Sequence, residues 1–142
     1  MRKRFDELPT RAEQDQAEAI QLYRLAAEQG IAGAQFRLGV VYAEGRGVAQ
    51  DDKESVRWFR LAAEQGDGEA QGGLGLAYSA GRGVPQDFVA SHMWMTLAAA
   101  RLTGATRRGA LKFRDTIAAA MTSEQIAEAH RLAQEWTPTS ER

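Results

Sequence analysis

Cysteine is absent from the 142 residues of this chain, proline occurs three times and histidine twice. Without cysteine the chain forms no disulfide, offers no thiolate to a metal ion and has no cysteine nucleophile. Neither sign of charge dominates, because 18 Lys and Arg residues stand against 19 Asp and Glu residues. The overall charge therefore gives no support to a nucleic-acid partner or to a membrane-surface partner.

Long hydrophobic runs are also missing. The most apolar stretch, from Trp94 to Ala100, is far shorter than the roughly 20 residues that cross a bilayer. The basic opening from Met1 to Arg4 is not followed by the apolar core of a secretory signal. We therefore expect a soluble protein that is cytoplasmic as the sequence is written, and periplasmic or secreted if a signal segment has been removed.

A repeat of 36 residues is the strongest pattern in the sequence. Leu25-Ala-Ala-Glu-Gln-Gly30 recurs as Leu61-Ala-Ala-Glu-Gln-Gly66, and Gly45-Arg-Gly-Val48 recurs as Gly81-Arg-Gly-Val84. A Gln-Asp pair appears three times at the same spacing, ending at Asp15, Asp51 and Asp87. Beyond Ala99 the register fades, which predicts a C-terminal cap in place of another full unit.

Each unit is predicted to contain two helices, here called A and B. In helix A, Ala34, Leu38 and Tyr42 are four residues apart and form one buried stripe that ends at Gly45. Helix B begins after a capping aspartate, Asp15, Asp51 or Asp87. Four buried positions recur on one face of helix B: Ala19, Leu22, Tyr23 and Ala26; Ser55, Trp58, Phe59 and Ala62; Ser91, Trp94, Met95 and Ala98.

One such hairpin cannot bury its apolar face alone, so the pattern predicts an all-α solenoid of stacked antiparallel hairpins. The caps and the hydrophobic period predict seven helices and no sheet, at 15–29, 31–44, 52–65, 68–80, 88–102, 105–121 and 123–136. They form a single repeat domain over 1–142, with a partial first repeat (helix B only) at 15–30, repeats at 31–66 and 67–102, and a C-terminal cap at 103–142.

These motifs together resemble the Sel-one-like repeat (SLR) family, a tetratricopeptide-related group of α-solenoids. The resemblance spans Asp15 to about Leu102, and Met121 to Trp136 resembles the closing helix of many bacterial members. It implies a bacterial origin and a right-handed superhelix whose concave surface, lined mainly by A helices, holds a partner protein or peptide. It implies no catalytic apparatus and no cofactor. Cysteine-rich relatives close each hairpin with a disulfide, and this chain departs from that pattern.

The candidate partner-binding residues lie on the side of helix A opposite the buried stripe. They are Phe36, Arg37, Val40 and Glu44 in one copy, and Gly72, Gly73, Leu76 and Ala80 in the next. Repeats keep their packing residues alike and let the ligand-binding face diverge, so this variation favours a protein-binding scaffold.

Residues for catalysis or metal binding do not converge in the sequence. His92 and His130 are far apart and have no metal-ligand spacing. His92 takes the position of Ile20 and Val56 in the other copies, which favours a packing role. We predict no enzyme and no metal site; the alternative is a hydrolase or another enzyme built on a helical solenoid.

Two further motifs have a possible ligand interpretation. Gly-Arg-Gly-Val is similar to phosphate-binding loops, but its recurrence after helix A favours a turn in which Gly45 and Gly81 are left-handed. The densest basic cluster could bind an acidic peptide or a phosphate group, although a solvated helix face is favoured. It consists of Arg107, Arg108, Lys112 and Arg114.

The first helix lacks a preceding A helix, which predicts uncovered apolar surface on its B-type face. Phe5 and Leu8 could fold back over it, a second copy could dock there, or the chain could belong to a longer array. We favour a homodimer through this N-terminal edge, since a contact between two identical faces closes on itself.

Overall fold

The computed structural model describes residues 8–142, which form seven α-helices, one short 3-10 turn and no strand. The helices are α1 (Arg11–Glu28), α2 (Ala32–Glu44), α3 (Asp52–Glu64), α4 (Gly68–Ala80), α5 (Phe88–Arg101), α6 (Gly104–Ala118) and α7 (Ser123–Glu135), and the turn covers Thr139–Glu141. The predicted helix number and the absence of a sheet are confirmed for this part of the chain. Phe5 lies outside the described residues.

The largest difference from prediction is at the start of α1. Thr10 caps this helix: its hydroxyl oxygen accepts from the Glu13 N–H at 3.1 Å, and the Glu13 carboxylate accepts from the Thr10 N–H at 2.8 Å. Asp15, predicted as the cap, is an exposed residue inside the helix that pairs with Arg11 at 3.4 Å. The prediction for Asp15 is therefore wrong, because a complete capping box upstream already satisfies the first-turn amides.

The other two aspartates cap their helices as predicted. The Glu54 N–H donates to Asp51 Oδ1 at 3.1 Å, and the Ala90 N–H donates to Asp87 Oδ1 at 3.0 Å. Thr122 likewise caps α7 in a capping box with Gln125. These caps fix where α3, α5 and α7 begin.

The Gly-Arg-Gly-Val motifs form the turns between helices. Gly45 and Gly81 end α2 and α4 in the left-handed conformation, with φ of 69° and 68°. Val48 and Val84 are half-buried and pack on neighbouring core clusters. The interpretation of the motif as a turn is confirmed.

Consecutive helices pack as antiparallel hairpins, and the B helices α3 and α5 carry the main core. Trp58 packs with Leu38 of its own hairpin and with Ile20 of α1, and Trp94 occupies the equivalent place one repeat later, against Leu74. Between A and B helices, Ser55 Oγ donates to the Gly39 carbonyl oxygen at 2.7 Å. The predicted buried face of helix B is confirmed for α3 and α5.

The equivalent face of α1 is not buried to the same degree. Leu22 is 60% exposed, whereas Trp58 and Trp94 at the same repeat position are 4% and 3% exposed. Leu22 was predicted to be a buried position, and this is wrong because no preceding hairpin stands against α1 within the described residues. The predicted uncovered apolar surface on α1 is observed at Leu22 and Leu25.

Helices α6 and α7 both pack on α5 at the C-terminal end. The Trp136 ring contacts that of Trp94 edge to face, with 6.1 Å between centroids, and the Arg101 guanidinium lies 4.9 Å from the Trp136 ring centre. At the chain end, Arg142 pairs with Glu64 of α3. None of the helices described is both long and apolar enough to cross a membrane.

Candidate binding groove

A groove with a volume of about 770 Å³ lies across α2, α4 and α6. Its floor is formed by side chains of the B helices, Val56, Phe59 and Met95. Its walls come from the A helices and from α6, through Phe36, Val40, Gly72, Gly73, Leu76, Thr106, Gly109 and Phe113. Because residues of α2 to α6 line it, the groove extends over more than one repeat unit.

Glycines in α4 give the groove its depth. No atom lies within 4 Å of the position that a Cβ on Gly72 would take, so space is open there. A Cβ on the neighbouring Gly73 would lie 3.0 Å from Phe59 Cδ2, so this glycine lets the floor approach the wall. The Phe36 and Phe59 rings stack with 5.7 Å between centroids. The result is a concave apolar surface with an aromatic side.

Four charged residues line the groove: Glu44, Asp52, Glu69 and Arg82. Arg82 pairs with Asp52 at 2.9 Å, and Glu44 pairs with Arg46, which lies outside the groove lining, at 3.0 Å. Glu69 is exposed and takes part in no ion pair among the described residues.

Seven of the eight candidate residues predicted from the sequence line this groove. Arg37 does not: it is exposed on the neighbouring face of α2, because one residue along a helix turns the side chain by about 100°. Their role in binding stays a prediction.

The contributions of α6 and of the B helices were missed. Phe59 and Met95 were assigned to the core only, yet both also reach the groove floor. Phe113 and Thr106 were assigned to the cap. The available signal was position along the chain, since α6 follows a B helix just as α4 does.

The two histidines, far apart in the sequence, are brought together by the fold. Their rings lie 5.2 Å apart at an interplanar angle of 81°. His92 is only 2% exposed, in line with the packing role predicted for it, and its Nδ1 has no hydrogen-bond partner among the described residues. Burial lowers the pKa of His92, and the charges of Arg114 and His130 lower it further, while Asp115 opposes them.

This pair lies outside the groove lining. Within residues 8–142, no group of three or more His, Cys, Asp or Glu side chains is placed to hold a metal ion. The contact between the rings therefore couples α5 to α7.

The basic cluster divides into two parts. Arg107, Arg108 and Lys112 are exposed on α6 and do not line the groove. Arg114 is half-buried and contacts Asp115 at 3.3 Å. Only the first three residues therefore offer charge to solvent together.

Comparisons with known proteins agree with this architecture. Three consecutive segments, residues 10–31, 32–67 and 68–101, match the family model described as the Sel1 repeat. Among curated proteins, none matches this chain significantly in sequence.

Several solved structures are similar, and two of them are described here. One is c5321, a protective antigen present in uropathogenic Escherichia coli strains displaying an SLR fold: it is 32% identical, with a TM-score of 0.81, over 87% of this chain and 26% of that chain. The other is a Sel1 repeat protein from Oxalobacter formigenes, 36% identical, with a TM-score of 0.60, over 63% of this chain and 37% of that chain. This chain thus spans well under half the length of either. The repeated motifs, the stacked hairpins and the match of three segments together establish that the chain belongs to the Sel1 repeat family.

Proposed function

We propose that this chain is a protein-interaction scaffold that binds a peptide segment of a partner protein in the groove across α2, α4 and α6. The observation that carries the proposal is exposed apolar surface within a concave site: Leu76 is 51% exposed, beside the open space at Gly72. Contiguous exposed apolar surface is typical of interaction sites. Membership of the Sel1 repeat family supports the scaffold role.

The chemistry of the lining favours binding over catalysis. Its described residues include no histidine and no lysine, and Asp52 is engaged by Arg82. Hydrophobic side chains of a partner can fill the space beside Phe36 and Phe59, while its polar groups stay at the rim. No cluster of acid, base and nucleophile side chains in this groove supports the hydrolase alternative.

Filling the groove tests the proposal. A peptide selected from a displayed library on the wild-type protein would be titrated against Gly72→Leu and Gly33→Leu, with affinity followed by fluorescence anisotropy. Both glycines are helical and have no atom within 4 Å of a Cβ position, but only Gly72 lines the groove. We expect Gly72→Leu to weaken binding by about tenfold or more, and Gly33→Leu to leave it unchanged.

A second pair of variants checks the wall of the groove. Phe36→Ala should weaken binding of the same peptide, because aromatic anchors dominate such contacts. Arg37→Ala, one residue away and outside the lining, should have little effect. Equal affinities for wild type, Gly72→Leu and Phe36→Ala would place the site elsewhere.

A further inference from the structure

We infer that the groove selects basic partners: the bound segment carries Lys or Arg next to its apolar anchors, with a cation placed to reach Glu69. This inference rests on the proposed function and adds the charge of the partner to it. It begins from the lining, where three carboxylates stand against one guanidinium.

The single cation in the lining is already engaged. Arg82 makes two contacts with the Asp52 carboxylate, Nη2 to Oδ1 at 2.9 Å and Nε to Oδ2 at 3.3 Å. That paired arrangement satisfies both groups and leaves little positive charge for a ligand. The remaining acidic groups, Glu44 and Glu69, therefore set the charge that a partner meets.

Glu44 is the weaker of these two. Its pair with Arg46 joins side chains that are 47% and 73% exposed, and exposed pairs of this kind are easily exchanged or screened. Glu69 has no ion pair within residues 8–142. It is the carboxylate on this surface that gains most from a cation.

The position of Glu69 on α4 connects its charge to the apolar part of the groove. Glu69 lies three and four residues before Gly72 and Gly73, so it stands on the same side of the helix as the open floor. Lys and Arg have long aliphatic stems that cover apolar surface while the charged head reaches outward. A stem lying along Phe36 therefore fits both parts of the site at once.

An acidic partner fits a different surface. The exposed cations of α6, Arg107, Arg108 and Lys112, are outside the groove lining. An acidic peptide would be drawn to that outer side of α6 and away from the apolar floor.

The experiment compares two fluorescein-labelled amphipathic peptides that have the same leucines and differ only in charge, with lysine or glutamate at every charged position. Affinity is measured by anisotropy at low salt and at high salt. The matched variants are Glu69→Lys and Glu124→Lys, because both glutamates lie in the first turn of a helix and only Glu69 lines the groove. The two substitutions change the net charge equally.

We expect the lysine peptide to bind wild type about threefold or more tightly than the glutamate peptide at low salt, with the preference reduced at high salt. Glu69→Lys should cancel or reverse this preference, and Glu124→Lys should retain it.

Three results would overturn the inference. They are equal affinity of the two peptides for wild type, an equal loss of preference in both variants, and failure of the lysine peptide to bind at any salt concentration. None of them decides the proposed function, which depends on the library-selected peptide and Gly72→Leu.

Discussion

The glycines inside the A helices form two groups, which differ in how closely neighbouring side chains pack against them. At Gly39 the Phe59 ring lies directly on the backbone, and at Gly75 a Cβ would lie 2.8 Å from Met95 Cε. At Gly72 there is open space. Gly39 and Gly75 occupy the same position in the 36-residue repeat, and in both places a side chain of a B helix fills the space that a Cβ would take. Gly39 and Gly75 therefore leave no room for a side chain, whereas Gly72 does.

Alanine substitution should separate the two groups. Gly72→Ala should raise the free energy of unfolding by about 0.5–1 kcal/mol, because alanine is the better helix former and nothing obstructs its methyl group. Gly39→Ala should lower it by about 1–3 kcal/mol, because the methyl group displaces Phe59. Urea denaturation followed by circular dichroism measures both. A stabilised Gly39→Ala variant would contradict the described contact with Phe59.

The repeat also offers a matched pair of large side chains. Trp58→Ala should cost about 3–5 kcal/mol of unfolding free energy, since Trp58 is 4% exposed between hairpins. Leu22→Ala, at the same repeat position in α1 but 60% exposed, should change stability by about 0.5 kcal/mol or less. If thermal denaturation showed similar losses for both variants, the face of α1 that carries Leu22 would be covered.

The contact of α5 with α6 and α7 contains a buried titratable group. His92 on α5 faces His130 on α7, with Arg114 and Asp115 of α6 also acting on it. Its pKa in the folded protein is lowered, first by burial. The unfolded chain therefore binds a proton more readily than the folded chain, and acid favours unfolding.

Above the ordinary pKa of histidine, about 6.5, His92 should not reduce the free energy of unfolding. As the pH falls below that value, the free energy of unfolding should decrease, because the unfolded chain takes up the proton more readily. His92→Gln should flatten this part of the curve of unfolding free energy against pH, measured by urea denaturation between pH 5 and pH 8 in steps. His130→Gln, at the exposed ring of the pair, is the control and should flatten it less. An unchanged slope in His92→Gln would assign the pH dependence to other groups.

The sequence predicted these elements to different extents. Helix positions followed from aspartate caps, glycine stops and apolar spacing, all of which act within a few residues. The start of α1 was missed because Thr10 and Glu13 compete with Asp15 for the same first turn, and capping energies alone do not rank them. The approach of His92 to His130 depends on how α7 lies against α5, which no local pattern determines.

The groove was predictable only in part for the same reason. Phe36, Val40 and Glu44 share a face through helical spacing, so their clustering follows from the sequence. The contribution of Phe113 depends on α6 packing against α5 as α4 packs against α3. The register had faded there, with Ala110 and Arg114 in the places of Leu74 and Tyr78, so only the position of α6 after a B helix pointed to this contribution.

For the whole molecule, the two ends differ. The C-terminal end is covered by α6, α7 and the segment after them, whereas α1 presents Leu22 and Leu25 at 60% and 56% exposure. A homodimer through this N-terminal edge stays a prediction. Light scattering over a dilution series should show a mass that falls from dimer to monomer, and Leu22→Glu should be monomeric throughout. A wild-type chain that is monomeric at every concentration would contradict it.

Contacts made by the C-terminal end of the chain affect the order in which the helices unfold. In a simple linear array each unit touches only its neighbours, so units can detach singly from either end. Here Trp136 contacts Trp94 of α5, and Arg142 pairs with Glu64 of α3. Detaching α7 together with the segment after it therefore also removes a contact with α3, and we expect α3 to α7 to unfold together. Helix α1 has only Ile20 and Ala27 buried among its 18 residues, so we expect it to fray before these helices unfold.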